Sequence, residues 1–113
     1  MRTGRRLVLD PGLLRTQAVL EKPVETSDGA GGVSTVWAPA NPLSVRIEPR
    51  APERRERFDR VEAVQRHRVL CRAGSGAARG GRFRIGERLL AIETVHDPDE
   101  TGRFLLCLCV EEI

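Results

Sequence analysis

Aromatic side chains are scarce. Trp37, Phe58, Phe83 and Phe104 are the whole set, 4% of the residues, and there is no tyrosine. Domains that hold single-stranded nucleic acid stack bases on exposed rings, so this sequence has little from which to build such a platform. Lysine is nearly missing as well: of 19 basic residues only Lys22 is not arginine. No apolar run approaches the ~20 residues of a membrane-spanning helix. The basic start, Met1 to Arg6, leads into a short apolar stretch that Asp10-Pro11-Gly12 breaks. A secretory signal and a membrane role are therefore not expected, and synthesis in a cytoplasm is.

The chemistry of catalysis is equally thin. There are two histidines, His67 and His96. His67 sits between Arg66 and Arg68 and reads as a polar strand position; His96 precedes Asp97, but neighbours on a strand point to opposite faces. The serines at 27, 34, 44 and 75 lie in no nucleophile motif. The stretch Asp28 to Gly32 is glycine-rich but lacks the Lys and Ser/Thr of a phosphate loop. Asp97, Asp99 and Glu100 lack the twelve-residue calcium spacing. Three cysteines, Cys71, Cys107 and Cys109, are an odd number without zinc-finger spacing, and they read as small buried hydrophobes. An enzyme, a bound cofactor and a metal site are not expected.

What remains is a chain of 113 residues, enough for one domain with one modest core. It is 40% hydrophobic and 31% charged, a globular composition, and its net charge of +3 is too weak to mark a nucleic-acid binder by itself.

The dominant pattern is alternation with period two, the mark of a strand covered on one side. Leu14, Thr16, Ala18 and Leu20 fall on one face of a first strand, and Thr26 to Gly32 reads as a hairpin tip. The returning strand carries Val33, Thr35 and Trp37 on one face, and another strand carries Leu43, Val45 and Ile47. Later strands place His67, Val69 and Cys71 together, and Leu90, Ile92 and Thr94 together; Arg82–Ile85 reads as a short strand between them. The last strand, Arg103 to Val110, is apolar on both sides and is expected to be buried on both. Trp37 and Phe104 are expected in the core, where truncating Trp37 costs several kcal/mol. Six or seven short strands with no certain helix predict an all-β fold, a small antiparallel β-barrel. The expected layout is one domain, 1–113, with an extension at 1–12, first strands and hairpin at 14–48, a charged insertion at 50–64 and the remaining barrel at 65–112.

The insertion has a texture of its own. Arg50, Arg54, Arg55, Arg57 and Arg60 are interleaved with Glu53, Glu56, Asp59 and Glu62. Four-apart Glu/Arg pairs allow a helix with a narrow apolar face, and a solvated charged loop is the alternative. Two glycine-rich tracts, with Asp28, Gly29, Gly31 and Gly32 in the first and Gly74, Gly76, Gly80 and Gly81 in the second, read as flexible loops.

The order of these features resembles a known family. A strand leads to Asp28-Gly29-Ala30-Gly31-Gly32, then to a strand with Trp37-Ala38, then to the arm Glu53-Arg54-Arg55-Glu56-Arg57. His67-Arg68-Val69-Leu70-Cys71-Arg72 and a glycine-rich gap follow, then Arg82 through Asp97, and a closing strand ending in Glu111-Glu112. This is similar to the head–tail joining, or head closure (stopper), proteins of tailed phages, over roughly residues 12 to 112. The resemblance implies a β-barrel with a long inserted arm, assembled as a sixfold or twelvefold ring. Its neighbours would be a portal-side adaptor and a tail terminator or tail tube protein. Its place would be the head–tail junction of a virion or gene transfer particle, made in a bacterial cytoplasm, where it retains packaged double-stranded DNA until the tail joins. On this reading Glu53, Arg54, Arg55, Glu56, Arg57 and Arg60 contact a subunit or partner, and Arg50, Arg54 and Arg57 meet DNA phosphates in the channel without reading sequence. Two other readings are a small-barrel nucleic-acid-binding module, carried by Arg54, Arg55 and Arg57, and a metal or redox protein using Cys107 and Cys109.

Overall fold

The computed structural model describes residues 11–49, 53–57 and 60–112, with side chains at 12–48 and 64–111. Seven strands account for most of them: β1 (Thr16–Ser27), β2 (Val33–Pro49), β3 (Glu53–Arg57), β4 (Arg60–Arg72), β5 (Arg82–Ile85), β6 (Arg88–His96) and β7 (Phe104–Glu112). Every pairing is antiparallel. The sheet order is β2-β1-β5-β6-β7-β4-β3, and β2 also pairs with β4, Arg46–Pro49 against His67–Leu70. Six strands thus close on themselves, which removes most of the edges an open sheet would expose. β3 stays outside the ring and, among the described residues, pairs with β4 alone. The only helical pieces among the described residues are two 3-10 turns, Pro11–Leu13 and Ala73–Ser75.

The expected alternation places the core. Ala18 and Leu20, Val45, Val69 and Cys71, Phe83, Leu90 and Ile92, and Cys107 and Cys109 fill the interior, with Leu43 and Ile47 packed against them. All three cysteines are free and buried. Burial pushes the Cys109 thiol up to about 12, and a hydrogen bond with Cys71 together with burial raises Cys107 further. Cys107 and Cys109 are thus held as thiols, while the hydrogen bond with Cys107 brings the Cys71 thiol down to about 7.

Four details differ from the sequence reading. β2 runs unbroken from Val33 to Pro49, although Pro39 and Pro42 punctuate it. Its partner changes from Leu20↔Asn41 to Glu21↔Pro39, so Ala40 is the extra residue of a bulge. In β6 the register passes from Ile92↔Cys109 to Thr94↔Leu108, which leaves Glu93 as a second bulge. That bulge turns Val95, rather than Thr94, against the core. Trp37 is half-buried instead of core, because it lies beyond the barrel rim on the outer face. On β7, Cys107 and Cys109 are fully buried and Leu105 on the same face is half-buried. The opposite face is covered mainly at one end, where Phe104 packs with Leu14, Leu70 and Leu106; Leu108 and Val110 are half-buried.

The connections at one end are tied down. The second glycine tract donates the Gly80 N–H to the Ile92 carbonyl at 3.2 Å, accepts the Ile92 N–H on the Gly81 carbonyl at 2.9 Å, and buries Ala77. A Cβ on Gly81 would stand 3.2 Å from the Glu21 carbonyl oxygen and 3.3 Å from that of Ala78, so a side chain there would push these backbone groups apart by a few tenths of an ångström. In the turn before β7, the Asp97 carboxylate accepts the N–H groups of Asp99, Glu100 and Gly102, and buried Asp99 binds Thr101 and Arg103.

Candidate interaction surfaces at the two ends of the barrel

Two hairpins extend past the barrel. β1 meets β5 over Val19–Glu21, and beyond that point β1 and β2 continue as a two-stranded ribbon to the tip at 28–32. β4 begins at Arg60, before its pairing with β7 starts at Val64, so β3 and the start of β4 form a second ribbon, the arm. β1 and β4 are both antiparallel to β2 and therefore run the same way. The ribbon leaves where β1 ends and the arm where β4 begins, so they project from opposite ends of the barrel.

The charged insertion is thus a β-hairpin in its described part, neither helix nor loop. Its register is Glu53↔Val64, Arg54↔Ala63, Arg55↔Glu62, Glu56↔Val61 and Arg57↔Arg60. Glu53, Arg54, Arg55, Glu56 and Arg57 therefore lie on β3 and Arg60 opposite them on β4; Arg50 lies outside the described residues. β3 continues the line of β2 along the same edge of β4, because Pro49 pairs with His67 and Glu53 with Val64. From Arg50 to Glu62 the sequence has five arginines against four acids, so the arm is close to neutral.

An ion cluster at the base of each projection joins it to the barrel. At the base of the arm, His67 Nε2 and Glu111 Oε1 are 2.8 Å apart, and Arg88 donates to both Glu111 oxygens at 2.9 Å. His67 is 3% exposed, and its Nδ1 has no hydrogen-bond partner among the described residues. The Arg88 guanidinium is the main reason the Glu111 carboxyl is held below the usual carboxylate range, with His67 adding to it. At the base of the ribbon, Glu21 is 7% exposed and accepts from Arg82 Nε at 2.8 Å and Arg84 Nε at 3.1 Å. The Arg82 hydrogen bond lowers its pKa most, against the opposing effect of burial. The Arg82 guanidinium lies 4.0 Å from the centre of the Trp37 ring, so the same arginine fixes the ribbon through Trp37 and through Glu21.

The ribbon tip is built on Asp28. Its Oδ1 accepts the N–H of Ala30 at 2.8 Å and of Gly32 at 2.9 Å, which holds its carboxyl below the ordinary range. Gly29 and Gly31 take φ of 79° and 82°, a backbone that side chains disfavour. Of the second tract, Gly76 and Gly80 also have positive φ, and Gly74 begins the closure over the barrel end.

Neither ion cluster was marked by sequence motifs. Glu111 carries a signal in hindsight: it falls in step with Cys107 and Cys109 on the interior face, where a carboxylate needs partners. Glu21 carries none, because its arginines are 61 and 63 residues away.

Comparison with known proteins agrees with this architecture. A search of the curated proteins finds no match. Among solved structures, a chain in the virion of a native gene transfer agent particle is similar, with a TM-score of 0.74 and 28% identity; the match covers 88% of this chain and 94% of that one. The family model described as phage head completion protein matches residues 9–112. With nearly the whole sequence matched, and a closed barrel bearing two opposed hairpins behind it, the chain belongs to the phage head completion proteins.

Proposed function

We propose that the protein is a structural neck component of a phage-like particle, one that forms a ring between the portal side and the tail, closes the filled head and retains DNA until the tail joins. The observation that carries this reading is the family match across the barrel and both hairpins. The projections suit such a position, since one barrel then has a distinct surface for each side of a ring. In the ring, carboxylates and guanidiniums of the arm pair with those of the next copy, Arg engaging carboxylate with two parallel hydrogen bonds. Each such pair contributes little in water, and the closed ring repeats it at every subunit. The near-neutral arm favours this protein–protein role over a free-standing nucleic-acid-binding module, which needs net positive charge along its contact surface. Arg54 and Arg57 are the residues proposed to meet DNA phosphates at the channel.

The test is genetic and structural. Particles made without this chain are expected to fail at tail joining and to lose DNA, and imaging of complete particles is expected to place it as a ring at the junction. Complete, DNA-filled, tailed particles without the chain would refute the role. Changing Arg54, Arg55 and Arg57 together to Glu is expected to leave a folded protein that no longer enters particles; normal incorporation would remove the arm from the mechanism.

A further inference from the structure

The two edges of the β1–β2 ribbon are unequally protected. Along β1, the segment past the barrel includes Lys22, Pro23 and Glu25, and charge and proline on an edge oppose the addition of another strand. Along β2, Val33-Ser34-Thr35-Val36-Trp37-Ala38 has no charge, no proline and no glycine, and four of its six residues are β-branched or aromatic. Val33 is 65% exposed and Val36 is 53% exposed. Among the described residues, no strand pairs with the outer edge of β2 from Val33 to Val45.

The same edge leads into a cleft. The pairing of β2 with β4 ends at Arg46↔Leu70, and beyond it the two strands separate. A cleft of about 590 Å³ opens there, with Asn41 and Ser44 on one side, Arg72 and Ser75 on the other, and Leu14 and Leu43 as apolar lining. Arg72 is exposed, and its guanidinium meets no carboxylate among the described residues.

We propose that this edge and cleft form a docking site for an extended segment of a different protein of the particle. That segment adds as one more strand along Val33–Ala38, sets an apolar side chain on Leu14 and Leu43, and brings a carboxylate to Arg72. The proposal rests on the neck reading above and assigns the ribbon end to a partner of stated chemistry. A second copy fits less well on three counts. Its β1 edge is protected as described. Its β3 edge has arginine in excess, Arg54, Arg55 and Arg57 against Glu53 and Glu56, and so matches Arg72 less well than an acidic segment does. Two β2 edges facing each other close as an isolated pair and leave nothing to join a ring to its neighbour.

The experiment uses assembled particles carrying Val36→Cys. The three native thiols are buried, so the introduced one is selectively reactive, and at an exposed site the change leaves the fold intact. A short photo-crosslinker is attached to the introduced thiol before assembly, and the products are identified by mass spectrometry. The expected product joins this chain to an extended, acid-bearing segment of another particle protein, and adding Arg72→Glu is expected to remove most of it. A product joining two copies of this chain overturns the proposal in favour of self-pairing. A chain that enters particles and forms no product overturns it outright. A chain with native sequence that is missing from particles overturns the neck reading, and this proposal with it.

Discussion

The ribbon and the arm are both antiparallel hairpins grown out of the same barrel, yet they solve the problem of an exposed strand differently. In the arm, every residue of β3 is arginine or glutamate. The ribbon beyond β1 and β2 has few charges and leaves Val24, Val33 and Val36 in water. Backbone geometry is therefore not what distinguishes the two ends of the molecule; side-chain chemistry is. A charged edge opposes the addition of an uncharged strand, whereas an uncharged edge offers main-chain hydrogen bonds and apolar contact. The bases repeat the theme, because each hairpin meets the barrel at a carboxylate shared between two basic side chains, Glu21 for the ribbon and Glu111 for the arm.

The comparison fails altogether if the barrel does not hold the hairpins apart, so the largest effect belongs to the core. Phe83→Ala, at a fully buried position, is expected to destabilise by about 3–5 kcal/mol, read from the urea midpoint, and to loosen both hairpins together. A loss under about 1 kcal/mol would mean that the barrel is not the common support.

Acid acts on both bases at once. The Glu21 and Glu111 carboxyls are lowered in the folded protein, so their contribution is present above the unfolded value near 4.5 and is lost as pH falls through the folded values. Stability against urea should be flat above about pH 5 with respect to these two groups and should decline below it. Glu21→Gln combined with Glu111→Gln should flatten that decline; an unchanged acid limb would assign it to other carboxylates.

Glu111→Ala separates the ends. It strips the acceptor from Arg88 and from nearly buried His67, and about 2–3 kcal/mol is expected. Hydrogen exchange should quicken around Val64–His67 and leave the ribbon amides unchanged. Trp37→Ala is the reciprocal experiment and the smallest effect. The ring is half-buried beneath Arg82, so about 1–2 kcal/mol is expected rather than the cost of a core aromatic, with faster exchange confined to 22–27 and 33–38. If either variant loosened the opposite hairpin, the two ends would be coupled.

Much of the barrel was legible because its strands alternate. Ala18 and Leu20, Val45, Val69 and Cys71, and Leu90 and Ile92 all occupy the interior that their spacing predicts. Errors fall where something breaks the period: Ala40 and Glu93 are bulges, and each shifts the face of what lies beyond it. Trp37 follows from the first of these: past the Ala40 bulge it pairs with Pro23 and shares the outer face with Glu21 and Arg82 instead of the core face of Leu43 and Val45. The arm misled in another way. Glu and Arg four apart suit a helix as well as they suit a charged strand, and the choice came from β4, which offers a free edge in line with β2. The ion clusters at the hairpin bases join residues as much as 63 apart, beyond the reach of any local pattern.

The sequence by itself determined an all-β chain, the interior identity of most strand faces, the turn positions and the family, because local periodicity and feature order are one-dimensional properties. The tertiary structure alone decided which strands close the ring, that the two hairpins leave opposite ends, and that Val33–Ala38 of β2 has an edge unpaired among the described residues. Those are consequences of strand direction and neighbour choice, and they exist only once pairing has brought distant segments side by side.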